Sequence, residues 1–325
     1  MSSDGEARSM FRHRTPGAQR TALAAVVLAS LVGCGAPSAG AVPASAAAPT
    51  SSATASPSAA TTPSSSSSIK VFAQLERQFG ARLGVYALDT GSQRSVSYHA
   101  DQRFAYASTS KVLATAAVLH QDSDEDLNRV VHYTQADLVS YSPVTEQHVD
   151  TGMTLREIID AALRYSDNTA ANLLFAELGG PRALGADLKA FGDTTTQVNR
   201  TEPDLNTAIP GDRRDTSTPR AMAADLQKFT LGTALNRTDR ALLVDTMTRN
   251  TTGATLIRAG APSTWTVADK TGSAGYGTRN DIAVLWPPHR APIVLAVLST
   301  RGTKDATYDD ALIAQATTAA LASLQ

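Results

Sequence analysis

The chain is short of cysteine, aromatics and net charge, and each shortage excludes something. Cys34 is the single cysteine among 325 residues, so no intramolecular disulfide can staple the fold. Aromatic residues are 5% of the chain, too few for a run of base-stacking platforms. The formal net charge is -1, which removes the electrostatic reason to expect a nucleic-acid partner. The six histidines (His13, His99, His120, His132, His148, His289) form no HxH or HExxH spacing, so no metal site is expected, and no cofactor motif is present. What remains, 42% hydrophobic and 18% charged residues, suits a soluble globular domain.

The N-terminal end departs from that composition. Arg8, Arg12, Arg14 and Arg20 precede TALAAVVLASLVG, an uncharged run too short to span a bilayer but suited to an export signal. It ends in LVGC, which resembles a bacterial lipobox with Cys34 as the lipidated mature terminus. The alternative is an ordinary signal cleaved near Ala44–Ala46. From Gly35 to Ser68 the chain is almost wholly Ala, Ser, Pro, Thr and Gly without a charge, and too little bulky apolar side chain is present to offset the entropy of folding. The expected division is a signal over 1–33, a disordered tether over 34–68, and a folded domain over 69–325.

Within that domain VFAQLERQFG has helical apolar spacing and a glycine stop, and ARLGVYALDTGSQRSVSYHA reads as a β-hairpin. Helical patterns dominate from about Thr109 to Met247. STWTVADKTG, NDIAVLWP and PIVLAVLST return to strands, and a helix is expected from about Asp305 to Leu324. Strands at both ends with helices between them predict an α+β fold, a sandwich of one antiparallel sheet flanked by helices. A large all-helical lobe (about 98–247) is inserted into the sheet lobe (about 69–97 and 248–325), with a cleft where the lobes meet.

Three short motifs carry chemistry when taken together. In Ser108-Thr109-Ser110-Lys111 the Ser and Lys share a helix face, and free N–H groups at a helix start favour a developing oxyanion. Alone the spacing is weak, since Ser67-Ser68-Ile69-Lys70 shares it. Ser166-Asp167-Asn168 precedes a helix and by itself would be a cap. Lys270-Thr271-Gly272 ends a β-like run, where glycine lets a ligand lie against the strand.

SxxK, SDN and KTG in that order resemble the penicillin-recognising serine enzymes, namely β-lactamases and D-alanyl-D-alanine peptidases. The loop RTEPDLNTAIPGDRRD, Arg200 to Asp215, resembles the omega loop of class A β-lactamases. Tyr141-Ser142-Pro143-Val144-Thr145-Glu146, Gly179-Gly180-Pro181 and Tyr276-Gly277-Thr278-Arg279-Asn280-Asp281 fit the same family.

The resemblance implies hydrolysis of the β-lactam amide of penicillins and cephalosporins, hence antibiotic resistance. Ser108 would be the nucleophile, with the N–H groups of Ser108 and Ser273 as oxyanion hole. Ser166 and Lys270 would relay a proton to the leaving nitrogen, and either Lys111 or Glu202 would take the first proton from Ser108. Glu202 would be the base for the deacylating water, with Asn206 orienting it. Lys270, Thr271 and Arg279 would hold the substrate carboxylate along the Gly272–Ser273 edge, Asn168 its acylamide, and Tyr141 would wall the entrance. A partly buried Arg200–Asp215 pair would hold the loop, and the Glu202-Pro203 bond is expected to be cis.

Ala107 and Ala274 stand where a disulfide-bearing carbapenemase subgroup has cysteines, so that subgroup is excluded. The rivals are a penicillin-binding peptidase and a β-lactam sensor, both of which would be trapped as the acyl-enzyme. The loop with Glu202 and Asn206 argues against the first. No spanning segment after the signal region argues against the second. A β-lactam is the expected ligand, a lipid anchor at Cys34 the sole membrane contact on the outer face, and a monomer the expected state.

Overall fold

The computed structural model describes residues 65–325. The signal region, Cys34 and most of the expected tether lie outside the described residues. The chain opens with helix α1 (Ser65–Phe79), followed by strands β1 (Arg82–Asp89), β2 (Ser95–Tyr98) and β3 (Phe104–Ala105). A 3-10 turn, Ala107–Thr109, leads into α2 (Ser110–Gln121) and α3 (Asp124–Leu127), then short strands β4 (Val130–Val131) and β5 (Met153–Thr154). Helices α4 (Leu155–Arg164), α5 (Asn168–Leu178) and α6 (Pro181–Ala190) precede β6 (Thr216–Ser217) and α7 (Pro219–Thr230). The chain closes with α8 (Arg237–Thr248), α9 (Ile257–Gly260), β7 (Thr266–Ala274), β8 (Thr278–Trp286), β9 (Ile293–Thr300) and α10 (Asp310–Ser323).

Strands from the two ends of the domain form one five-stranded antiparallel sheet, ordered β2-β1-β9-β8-β7. β1 alternates in burial from Val85 onward, but β8 and β9 are buried on both faces, and β9 and the second half of β8 read as continuous apolar runs. On one face, Phe72 of α1 and Ile313 and Ala316 of α10 pack on Leu83, Val85, Ala283 and Leu295. On the other, Met222 and Phe229 of α7 share a core with Ile282, Val284, Ala296 and the buried residues of α2, α4 and α5. Gly84 is required here. A Cβ would fall 2.5 Å from the Phe104 ring and 2.8 Å from Pro219, so only glycine lets α7 and β3 lie this close to β1.

Three boundaries differ from the sequence reading. α1 begins at Ser65, inside the stretch expected to be tether, because the first turn of a helix needs no apolar residue when the following turns dock Phe72 and Leu75. α10 begins at Asp310 and not at Asp305, whose φ of 60° is left-handed; the Asp309 side chain accepts from Ala311 N–H and caps the helix. α7, assigned to the helical lobe, lies on the sheet itself, so the inserted helices are also the sheet's second layer.

Candidate active site

The cleft is built where the start of α2, the start of α5, the edge strand β7 and the 200–215 loop meet. The 3-10 turn before α2 carries Ser108, and Ala107 ahead of it has φ 50°. Ser166 and Tyr141 also have positive φ, 59° and 64°. Each such non-glycine residue costs about 1–3 kcal/mol and persists only where surrounding contacts impose it. Those contacts are identifiable. Asn280 of β8 donates to the carbonyls of Ala105 (2.8 Å) and Tyr106 (3.1 Å), which clamps the chain ahead of Ser108 to the sheet. Asp167 caps α5 by accepting from Ala170 N–H, and also binds Val144 N–H, Thr145 N–H and the Thr145 hydroxyl. That single buried carboxylate fixes the turn between Ser166 and the Tyr141 loop.

Lys111, one turn after Ser108, is fully buried and joins three segments. Its Nζ donates to Ser166 O at 2.7 Å and Asn168 Oδ1 at 2.7 Å, and lies 3.4 Å from Ser166 Oγ and 3.2 Å from Glu202 Oε1. Burial lowers its pKa, and the Glu202 carboxylate works against that shift. Lys270, also fully buried, donates to Ser166 Oγ at 3.0 Å and to Thr271 O at 2.9 Å. Its pKa is lowered to about 7, first by burial and second by the Lys111 cation, with Asp269, Asp281 and Glu202 opposing. The Ser166 hydroxyl thus stands between two amines. Asp269 is itself held by Asn250 Nδ2 (2.5 Å) and Arg258 Nε (2.6 Å).

Gly272 closes the site from the sheet side. A Cβ there would lie 3.0 Å from Tyr106 O and 3.2 Å from Ser108 N, so the bare backbone lets the edge strand reach the Ser108 turn. Ser273 follows at the exposed edge, opposite Arg279 in the β7–β8 register. Arg279 lies on the face covered by α10. It pairs with Asp310 at 2.6 Å and stacks on Tyr308. The Thr271 hydroxyl is 2.6 Å from that of Thr252. Asn168 uses both ends of its amide, accepting from Lys111 and donating to Ser140 O at 2.8 Å. Tyr141 is 61% exposed and stands at the rim.

The Glu202-Pro203 peptide is cis. The Glu202 carboxylate is buried, and Asn206 Nδ2 donates to its Oε2. Asn206 Oδ1 is buried without a hydrogen-bond partner among the described residues, and an acceptor left so costs about 1–3 kcal/mol unless a water or substrate group serves it. Asn172 grips the Glu202 backbone from both sides: its Oδ1 accepts from Glu202 N–H at 2.8 Å and its Nδ2 donates to Glu202 O at 2.9 Å. At the loop's neck Arg200 Nε meets Asp215 Oδ2 at 2.5 Å. Asp215 also accepts from Asn199 N–H, Arg200 N–H and the hydroxyl of fully buried Tyr106.

Ser108, Lys111, Ser166, Asn168, Glu202, Asn206, Lys270 and Gly272 are therefore joined by the contacts just described. Asn172, Tyr106 and Asp269 were not anticipated, and Asp167, read only as part of a cap, does cap α5 and also ties down the Tyr141 loop. Asn172 could have been, since it lies one turn beyond Asn168 on α5 and shares its face. Among the described residues no group of His, Cys, Asp and Glu is arranged to hold a metal ion.

A serine at a strained helix start, two buried lysines sharing a hydroxyl, and a buried carboxylate beside them define a serine acyl-transfer enzyme. Residues 67–324 match the model of the Beta-lactamase enzyme family. A β-lactamase of Bacillus amyloliquefaciens is 60% identical over 78% of this chain and 83% of that protein. One from Amycolatopsis lactamdurans is 58% identical over 78% and 84%. A crystal structure of a class A β-lactamase from Clostridium kluyveri DSM 555 superposes with a TM-score of 0.78 at 53% identity, covering 79% of this chain and 98% of that one. The chain belongs to the β-lactamase enzyme family, in its class A serine branch.

Proposed function

We propose that this cleft hydrolyses the β-lactam amide of penicillins and cephalosporins in two acyl-transfer steps, and so confers resistance to them. Ser108 gives its proton to Lys111 or Glu202 as its Oγ attacks the lactam carbonyl, whose oxygen is held by the N–H groups of Ser108 and Ser273. The C–N bond breaks, and the nitrogen takes a proton from the Ser166 hydroxyl, which Lys270 replenishes. The substrate carboxylate docks against Lys270, Thr271 and Arg279, the acylamide against Asn168, and Tyr141 bounds the mouth. Water activated by Glu202 and oriented by Asn206 then attacks the ester. Its proton passes to Glu202, the Ser108 Oγ–C bond breaks, Oγ takes a proton back, and the acid product leaves.

The observation that carries this reading is the buried Glu202 carboxylate, 3.2 Å from Lys111 Nζ and bonded to Asn206. A trapped peptidase or sensor has no need of it. The test mixes the full chain with a chromogenic cephalosporin and records colour and intact mass together. Sustained colour well beyond one equivalent is expected, with no lasting adduct and no turnover in Ser108→Ala. A single equivalent and a lasting adduct on the native chain would make it a target or sensor instead.

The lysine pair predicts a pH profile. Lys270 must be protonated both to hold an anion and to feed Ser166, and its pKa is about 7. The protonated fraction falls as pH rises, so kcat/KM for a carboxylate-bearing substrate should decline on the alkaline side with an apparent pKa near that value. Lys270→Arg, which stays charged, should flatten this limb. An unchanged limb in that variant would assign it to another group.

We also propose export and a lipid anchor at Cys34, supported by the basic leader, the apolar run and LVGC. The folded domain would then act as a monomer outside the membrane. Cys34→Ser should move activity from the membrane fraction to the medium, and an unchanged distribution would favour cleavage beyond Cys34.

A further inference from the structure

A second cavity of about 550 Å3 lies between the 200–214 loop and the end of the sheet where β1 and β8 start and β9 ends. None of Ser108, Lys111, Ser166, Glu202 or Lys270 lines it. Six arginines do, Arg82, Arg103, Arg200, Arg213, Arg214 and Arg301, against one carboxylate, Asp212. In a chain of net charge -1 this is a local concentration, not general basicity.

Arg200 and Arg214 are occupied by Asp215 and Asp212, at 2.5 and 2.8 Å. The other four have no carboxylate within ion-pair distance among the described residues. Arg103 donates to the carbonyls of Thr195 (2.7 Å) and Thr216 and to the Thr216 hydroxyl, and Arg82 lies 4.0 Å from the Phe104 ring centroid. Burial and the nearby Arg213 cation both disfavour the charge on Arg103. The Arg213 and Arg301 guanidinium groups make no hydrogen bond or ion pair among the described residues, and the two residues bond through their backbones, to Thr216 and Tyr276. Thr278, 1% exposed, lines the same cavity, and its buried hydroxyl has no partner among the described residues.

Four guanidinium groups without a carboxylate partner line one space, Arg82 and Arg103 bonded only to carbonyls and one hydroxyl. We propose that this cavity binds a small polyvalent oxyanion, a molecule carrying two or more phosphate or carboxylate groups. Guanidinium forks suit such groups in bidentate fashion, and the volume falls in the range of small-molecule sites, about 300–1,000 Å3. One wall is the segment that carries Glu202 and the Arg200–Asp215 neck, so the ligand would brace that loop against the sheet.

The experiment titrates the full chain with sodium pyrophosphate, and separately with citrate, by calorimetry at chloride-matched ionic strength. Saturable binding at one site is expected. Arg213→Gln and Arg301→Gln should each weaken it about tenfold, the scale of one lost charge-assisted hydrogen bond. Neither side chain holds the fold together, so thermal unfolding and cephalosporin turnover of both variants should match the native chain. Saturating pyrophosphate should leave KM for the cephalosporin unchanged. No saturable heat above the chloride control, native affinity in both variants, or a competitive rise in KM that places the anion in the cleft would each overturn the proposal.

Discussion

Glu202→Gln should acylate and then stop. The substitution keeps the side chain's size while removing its capacity to take a proton from water, and base catalysis of this kind contributes about 10²–10⁴ in rate. Steady-state turnover should fall by roughly a thousandfold, and intact mass should show a persistent adduct on Ser108. The surroundings favour a clean split between the steps. Lys111 loses one partner but keeps Ser166 O and Asn168 Oδ1, and Asn172 still holds the backbone at position 202. The Glu202 carboxylate is also what favours the charged form of Lys111. Its removal leaves burial less opposed and Lys111 a readier base. Acylation that survives at near-native rate would therefore assign the first proton transfer to Lys111. A variant that neither turns over nor acquires an adduct would assign it to Glu202. Native turnover in the variant would remove Glu202 from the mechanism altogether.

The residues of this experiment divide into those the sequence names and those it hides. Ser108, Lys111, Ser166, Glu202 and Lys270 sit in short fixed-order motifs, because each task needs one residue type at one backbone position. The strands were legible for a different reason: β1 alternates and β9 is a run of branched apolar residues, which are the two patterns a sheet leaves in a sequence. Tyr106 and Asp269 were not legible. A tyrosine between Ala105 and Ala107 reads as core, and its bond to Asp215 joins residues 109 positions apart, which only the closed fold brings together. Asp269 in a buried strand looks like an error until Arg258 and Asn250 are seen to hold it. The starts of α1 and α10 were misplaced because serines and aspartates permit a helix start at several adjacent positions, and docking of Phe72 and Ile313 selects among them. The arginine cavity was hidden most completely. Its cations come from β1, the segment before β3, the loop and the end of β9, and no local spacing records their convergence.

Asp215→Ala should cost more stability than any surface substitution, and it should damage the second chemical step as well. The carboxylate is fully buried. It accepts from two backbone N–H groups, the Tyr106 hydroxyl and the Arg200 guanidinium. Removing it strands a buried hydroxyl and an arginine at the neck of the loop, and loss of one partner of a buried pair costs about 3–5 kcal/mol. For a domain of this size that corresponds to a fall in Tm of roughly 10 °C. The position also has φ 54°, which alanine tolerates less well than aspartate or asparagine. Asp215→Asn, which keeps an acceptor and suits the backbone but lacks the charge, should lie between the two. Thermal unfolding of the three proteins checks the order. Because the same contacts hold the ends of the segment bearing Glu202, the acyl-enzyme of Asp215→Ala should persist longer than that of the native chain while acylation changes little. A loss under about 1 kcal/mol, well short of the buried-pair cost, or equal slowing of both steps, would mean that Asn172 and the backbone bond from Gly275 N–H to Asn206 O hold the loop without the pair.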